Sequence, residues 1–376
     1  MSAADAFATR VQHVRELMSS RGYDGIIIRN NPDLRWLTGA QRTFDGELAH
    51  TAFITLDSLY LHTDSRYYNT FVEKLGENTP WQLDMDPISH TMWAAGRIKA
   101  IQGHVIAVED SMQLGFYDGL KRACEDLSLA VGFPRMHNDI SSRLRSVKDE
   151  EEIQLMRHAQ KITDATFDHM VEFIKPGMTE LEIRNELENY MFAHGADALS
   201  FETIIASGPN GANPHAQPSD RKVQPGDFIV MDYGAGYKDY HSDMTRTVCL
   251  GEPTEEMVKV YNVVRDAHEK AADAVRPGVT GASIHQIAAD VIADAGYGQY
   301  FGHGLGHGVG VEIHEEPNFN LRNTNPIPAG AVITDEPGIY LPGKFGVRIE
   351  DFGVVGENGY EPFTQSTHEL VCIPVA

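Results

Sequence analysis

Four acidic residues and a glycine-flanked histidine cluster are the residues here whose types and spacing could do chemistry. Asp232 closes the apolar run Phe228-Ile229-Val230-Met231, and Asp243 opens Met244-Thr245-Arg246-Thr247-Val248. Residues 234–240 can turn between them. A hairpin centred on Tyr237-Lys238 places Asp232 directly opposite Asp243, with facing Cα atoms about 4.5–5.5 Å apart. Further on, Pro342-Gly343-Lys344 makes a turn, and reflection about Gly343 sets Glu336 opposite Glu350. Ionised carboxylates that close repel, and buried ones need a proton or a cation to persist. Four exceed what one divalent ion neutralises, whereas two divalent cations balance them. Paired metals with bridging carboxylates are a known hydrolytic device. Oxygen-rich ligands favour manganese, with cobalt, iron or zinc as alternatives.

Between the two hairpins lies Phe301-Gly302-His303-Gly304-Leu305-Gly306-His307-Gly308, followed by His314. Glycines there permit close backbone approach. The spacing is neither a dinucleotide-binding GxGxxG nor the zinc-helix HExxH. One imidazole could complete a metal site and others could meet substrate; spacing alone does not say which. Arg348 lies two residues before Glu350, so on a strand it shares that face and could hold a carboxylate in register.

The elements that must position these residues form two parts. Residues 1–140 alternate helical and strand patterns. Val11 to Met18 has helical spacing, and short strands are expected at 26–28, 52–55, 59–62 and 105–108. This reads as a small α/β domain without chemistry of its own. A helix is expected to open at Ser146, with Asp149 as capping-box partner, and to run to Ile174 on one apolar face. The boundary falls near 140–146, with 136–142 as the link, giving domains 1–142 and 143–376. The second part carries an internal repeat. Lys175-Pro176-Gly177-Met178-Thr179 recurs as Arg276-Pro277-Gly278-Val279-Thr280, and His215-Ala216-Gln217-Pro218 is echoed by His314-Glu315-Glu316-Pro317. Gly226 precedes Asp232 by six residues, as Gly330 precedes Glu336. Two pseudo-symmetric half-domains would account for the order, each bringing a histidine and an acid-bearing strand to one centre.

Composition narrows the partners. Lys and Arg total 31 against 54 Asp and Glu, a balance of −23. Such a surface repels phosphate backbones and anionic lipid, which argues against nucleic-acid and membrane binding. No apolar run approaches the ~18–20 residues of a membrane span. The N-terminus reads as a charged amphipathic helix rather than a signal peptide. Cys124, Cys249 and Cys372 are far apart in sequence and form no CxxC. That argues against a disulfide framework and fits a cytoplasmic protein.

Together these motifs resemble the pita-bread metallopeptidases: aminopeptidase P, Xaa-Pro dipeptidase and methionine aminopeptidase. The match covers roughly 146–370. It implies an α/β (α+β) chain, with a small N-terminal α/β domain before a pseudo-symmetric pita-bread catalytic domain. It implies two metal ions on Asp232, Asp243, His307, Glu336 and Glu350. His307 is preferred to His303 because the family's ligand lies seven residues before the histidine of the HExP-like stretch, here His314. Asp243 and Glu350 are expected to bridge. The stretches Asn31-Pro32-Asp33-Leu34-Arg35-Trp36-Leu37-Thr38-Gly39 and Asp64-Ser65-Arg66-Tyr67-Tyr68 resemble the N-terminal domain of the proline-specific branch and of creatinase. Methionine aminopeptidases usually lack that domain, and creatinase lacks the ligands.

The resemblance implies a dinuclear exopeptidase cleaving the Xaa-Pro bond of peptides with proline second, by attack of a metal-bridging hydroxide. His215 and His314 would contact the substrate, Glu336 would also shuttle a proton, and His303 and Arg348 would shape or support the pocket. A homodimer is expected. Two alternatives stand beside it. One is an amidohydrolase acting on a small cyclic or acylated amino-acid derivative. The other is a catalytically silent binding protein, which the intact ligand set opposes.

Overall fold

Short runs, with β-branched residues concentrated in the central strands Gly25–Ile28, Thr51–Ile54 and Ile106–Glu109, build the first sheet. The computed structural model describes residues 3–137 and 139–375. Met1, Ser2, Ala376 and Asn138, the last within the expected link, lie outside the described residues. Two compact units result, Met1–Arg145 and Ser146–Ala376.

In the first unit, α1 (Ala3–Arg21) leads into β1 (Gly25–Ile28) and α2 (Asn31–Thr38). Then come β2 (Thr51–Ile54), β3 (Leu59–His62), α3 (Tyr68–Leu75), β4 (Trp81–Asp84), α4 (His90–Ile101), β5 (Ile106–Glu109), α5 (Leu114–Asp126) and β6 (Arg135–Met136). The strands join in the order β4-β3-β2-β1-β5-β6. Ile27, Phe53, Ile106 and Val108 pack on Trp93 and Ile98 of α4 and on Phe116 and Leu120 of α5. The expected strands all form, two of them displaced by one residue.

The second unit opens with α6 (Glu150–Phe173) and α7 (Glu180–Ala193). The helix does not open at Ser146. Val147 bridges Ala331 and Lys148 N–H donates to the Gly330 carbonyl, which holds that stretch extended. Asp149 is itself the N-cap and closes a capping box with Glu152. After α7 come β7 (Ala198–Leu199), β8 (Ile204–Ser207), β9 (Phe228–Tyr233), β10 (Ala235–Tyr237), β11 (Tyr240–His241) and β12 (Met244–Leu250). The second half runs α8 (Glu255–Ala274), α9 (Gly281–Asp294), β13 (Gly306–Gly308), β14 (Glu315–Phe319), β15 (Val332–Asp335), β16 (Gly338–Leu341), β17 (Phe345–Arg348), β18 (Asp351–Gly356), β19 (Gly359–Pro362) and β20 (Cys372–Ile373).

The repeat is real in space. Thr179 and Thr280 each close a capping box, on α7 and α9. Gly177 and Gly278 both take positive φ, 87° and 90°, a conformation favouring glycine. Their N–H groups donate to Val223 and Ile327 carbonyls, four residues before the equivalent Asp227 and Ala331. Gly226 and Gly330 N–H groups likewise donate to Leu250 and Val355. Each half buries its own core: Met170, Ile183, Leu187, Ile229 and Met231 in the first, and Val264, Ala271, Ile284, Ile333 and Val355 in the second.

The first hairpin's register differs from the expected one. Tyr237 faces Tyr240, and Lys238 and Asp239 form the turn with φ of 50° and 67°. Two positive-φ residues make a tight two-residue loop whose twist suits the strands. That moves the centre by one residue, so Asp232 faces Thr245, and Asp243 is its diagonal neighbour on the same face. The second hairpin keeps the expected register. Asp335 faces Asp351 and Gly338 faces Arg348, so Glu336 and Glu350 stand level between those pairs. Cys249 and Cys372, far apart in sequence, become direct neighbours as free thiols on β12 and β20.

Candidate active site

The two hairpins deliver their acids to one cavity of about 530 Å³. It is lined by Asp232, Asp243, His307, Glu336 and Glu350, and by His215, His303, His314 and Arg348. All nine residues singled out from the sequence therefore meet in one place. Asp232 stands near the end of β9, and Asp243 just precedes β12. Glu336 follows β15, and Glu350 bridges β17 and β18.

His307 sits on β13 between Gly306 and Gly308. A Cβ on Gly306 would lie 2.1 Å from the Thr334 carbonyl oxygen, and one on Gly308 2.4 Å from that of Glu316. The flanking glycines thus let neighbouring backbone press against β13 and aim the imidazole inward. Its Nε2 lies 3.5 Å from both Asp243 Oδ2 and Glu336 Oε1. Its Nδ1 lies 3.0 Å from the Gly308 carbonyl, which leaves Nε2 free as a ligand atom. Ligand atoms of Asp243, His307 and Glu350 all fall within 4.8 Å of one another.

Electrostatics mark the site as short of positive charge. Burial, with Asp232 and Glu336 alongside, pushes the Asp243 carboxyl well above its usual range. Burial together with Asp243 and Glu336 does the same to Glu350. Glu336 rises to about 8, through burial and Asp232, with Arg348 opposing. Burial and His314 hold His307 down at about 4, so its imidazole is neutral at neutral pH. Asp232 Oδ1 is buried without a hydrogen-bond partner among the described residues. A donor set of four carboxylates and one neutral imidazole, with an orphaned oxygen and mutual repulsion, fits divalent cations.

Arg348 reaches across the hairpins rather than along its own face. It donates through Nη2 to Asp232 Oδ2, through Nη1 to Tyr340 Oη at 2.8 Å and through Nε to Thr245 Oγ1 at 2.9 Å. Tyr340 Oη also lies 3.0 Å from His303 Nε2. Burial and Arg348 lower His303 to about 4. His215 and His314 are exposed at the cavity, and the His314 ring stands 4.3 Å from that of His307. Beneath His314, Glu315 is tied to the buried ammonium of Lys148.

Sequence reasoning missed three supporting side chains. Thr245 bonds both Arg348 and Glu350, and the true hairpin register would have revealed it. Thr334 accepts from His307 N–H at 3.0 Å and donates to Glu336 at 3.4 Å. Tyr340 carried no signal, because its partner His303 is distant in sequence.

Residues 154–357 match metallopeptidase family M24, and residues 10–134 match the creatinase/prolidase N-terminal domain. A Pyrococcus horikoshii Xaa-Pro dipeptidase is 33% identical over 98% of this chain and 100% of its own. The structure of a Bacillus anthracis Xaa-Pro dipeptidase superposes with a TM-score of 0.90 at 33% identity, covering 97% of this chain and 99% of that one. An X-Pro aminopeptidase from Thermotoga maritima gives 0.85 at 34% identity, over 94% and 99%.

Proposed function

Because this chain belongs to metallopeptidase family M24 and is a hydrolase, we propose that it is a dinuclear exopeptidase cleaving before proline in the second position of a peptide. The observation that carries the reading is the convergence of Asp232, Asp243, His307, Glu336 and Glu350 in one cavity. Those five would hold two divalent ions. When bound, such ions lower the pKa of a coordinated water and polarise a carbonyl.

The chain's own residues do the rest. His215 and His314, exposed at the cavity, hold the substrate around the scissile bond. Glu336 takes the proton given up by the attacking water and returns it to the leaving ring nitrogen. Arg348 keeps Asp232 and Thr245 in place and leaves the reacting atoms to others. His303 shapes the wall beside Tyr340. Proline specificity is supported by the names of the Pyrococcus, Bacillus and Thermotoga relatives. Manganese is the ion expected first, because four of five donors are carboxylates. The same reading takes the protein as a cytoplasmic homodimer. Among the described residues no helix is long and apolar enough to cross a membrane.

The test is one peptide pool followed by mass spectrometry, with Mn²⁺-loaded protein and a chelated control. The pool holds Ala-Pro, Ala-Pro-Ala, Met-Ala-Ser and several acylated amino acids. Metal-dependent cleavage of Ala-Pro alone identifies a dipeptidase, and cleavage of Ala-Pro-Ala an aminopeptidase. Survival of every peptide while an acylated amino acid is cleaved would overturn the reading in favour of an amidohydrolase.

A further inference from the structure

A second cluster of metal-ligating side chains lies on the far side of the same strands, and the cavity lining includes none of them. Successive residues of a strand point to opposite faces. Glu336 and Glu350 face the cavity, so their neighbours Asp335 and Asp351 face away from it, towards α8. There His268, buried on α8, and His368, about one third exposed, converge on a single oxygen of Asp351. His268 Nε2 lies 3.4 Å and His368 Nε2 2.8 Å from Asp351 Oδ2. The two rings meet edge to face at 4.8 Å.

We propose that His268, Asp351 and His368 form a separate binding site for one divalent transition-metal ion of the zinc class. Two imidazole nitrogens and a carboxylate oxygen are the donors such an ion prefers. Bonds of about 2.0–2.1 Å at tetrahedral angles put ligand atoms about 3.3 Å apart. The His268–Asp351 pair already has that spacing. His368 reaches it by a shift of about half an ångström.

The surroundings are built as those of metal ligands usually are. His268 Nδ1 faces the Asp335 carbonyl oxygen at 3.1 Å and its carboxylate at 3.3 Å, which directs Nε2 at Asp351. Arg246 occupies the other Asp351 oxygen at 2.7 Å and so fixes which one faces the histidines. Asp335 is 1% exposed, and apart from that approach of His268 Nδ1 its carboxylate oxygens have no hydrogen-bond partner among the described residues. Imidazole nitrogens crowding one carboxylate oxygen need a hydrogen or a cation between them, and an ion satisfies all three donors at once. This site does not depend on the peptidase reading, because it shares no ligand with the catalytic cavity.

The experiment measures bound zinc per chain by mass spectrometry after chelator treatment and equilibration at matched free Zn²⁺. Wild-type protein is compared with His368→Gln, at a partly exposed position, and with Asp335→Asn, which keeps all three ligands. The expected result is one equivalent less zinc in His368→Gln and a 10- to 100-fold weaker site in Asp335→Asn. Equal zinc content and affinity in wild type and His368→Gln would overturn the proposal and leave a proton as the occupant. Circular dichroism of each variant separates loss of the ion from loss of the fold.

Discussion

Thr245 donates its hydroxyl to Glu350 Oε2 at 2.7 Å while accepting Arg348 Nε at 2.9 Å. One side chain from the first half of the pseudo-symmetric unit thus fixes an acid and a cation from the second. Thr245 N–H and C=O belong to β12, and Glu350 N–H donates to the Thr245 carbonyl at 3.1 Å. The halves are therefore coupled where the acids meet. Thr245→Val should lower metal affinity or kcat about tenfold, as loss of a ligand's supporting hydrogen bond does. Thr245→Ser should retain most of both. Calorimetric Mn²⁺ titration and steady-state kinetics decide; equal values for Val and wild type would show that the hydroxyl is idle.

Arg348 spans Asp232, Tyr340 and Thr245 with three different nitrogens. A lysine ammonium cannot place donors in that planar fork. Arg348→Lys should lower kcat/KM about 10- to 100-fold, with charge conserved. Arg348→Leu should also destabilise the fold, because it strands Asp232 beside the other acids. If Arg348→Lys matches wild type in a peptide-cleavage assay, charge alone suffices and the fork argument is wrong.

Removing metal should make stability depend on pH. Glu336 has a folded value of about 8, raised from 4.5. A raised carboxylate adds stability that is fully present below its unfolded value and lost as pH rises through the folded one. Chelated protein should therefore melt at progressively lower temperature from pH 5 to pH 9. Saturating Mn²⁺ should flatten that fall by pairing the ionised acids. Thermal scans with and without chelator check this, and superimposable pH profiles would contradict it.

The first unit has its own pH sensor. Glu109 accepts the N–H groups of Arg29 and Asn30 at 2.9 and 3.1 Å, and burial together with Asp33 raises its carboxyl to about 7. The same sign applies: stability is full below about 4.5 and lost through about 7. The part of that shift lost between pH 5 and pH 8 is roughly 2.5 kcal/mol. Glu109→Gln should remove most of that slope. Urea unfolding at the two pH values is the measurement, and an unchanged slope in the variant would place the effect elsewhere.

Local signals carried much of this protein. The 3.6-residue spacing between Met156 and Ile162, the threonine caps at 179 and 280, and the turn at Gly343 are written in short stretches of chain. So is the alternation that makes Glu336 and Glu350 level with one another. The register of the first hairpin is not legible there, because its turn residues, Lys238 and Asp239, are not glycines, although both take positive φ. Aspartate tolerates that conformation, but lysine does not favour it, so residue type alone does not fix the turn. His303 and Tyr340, or His268 and His368, are far apart in sequence, and no periodicity relates them.

Residue type and spacing alone place the donor set, four acids and the histidines, on strands and glycine-rich loops. Which atoms meet is settled by the folded chain. Arg348 serves Asp232 across the hairpins, Thr245 joins the halves, and Asp335 and Asp351 turn their backs on the cavity. The reason is physical. Propensity and pattern act over a few residues, whereas a contact between distant strands depends on register and on how two sheets close around one buried charge.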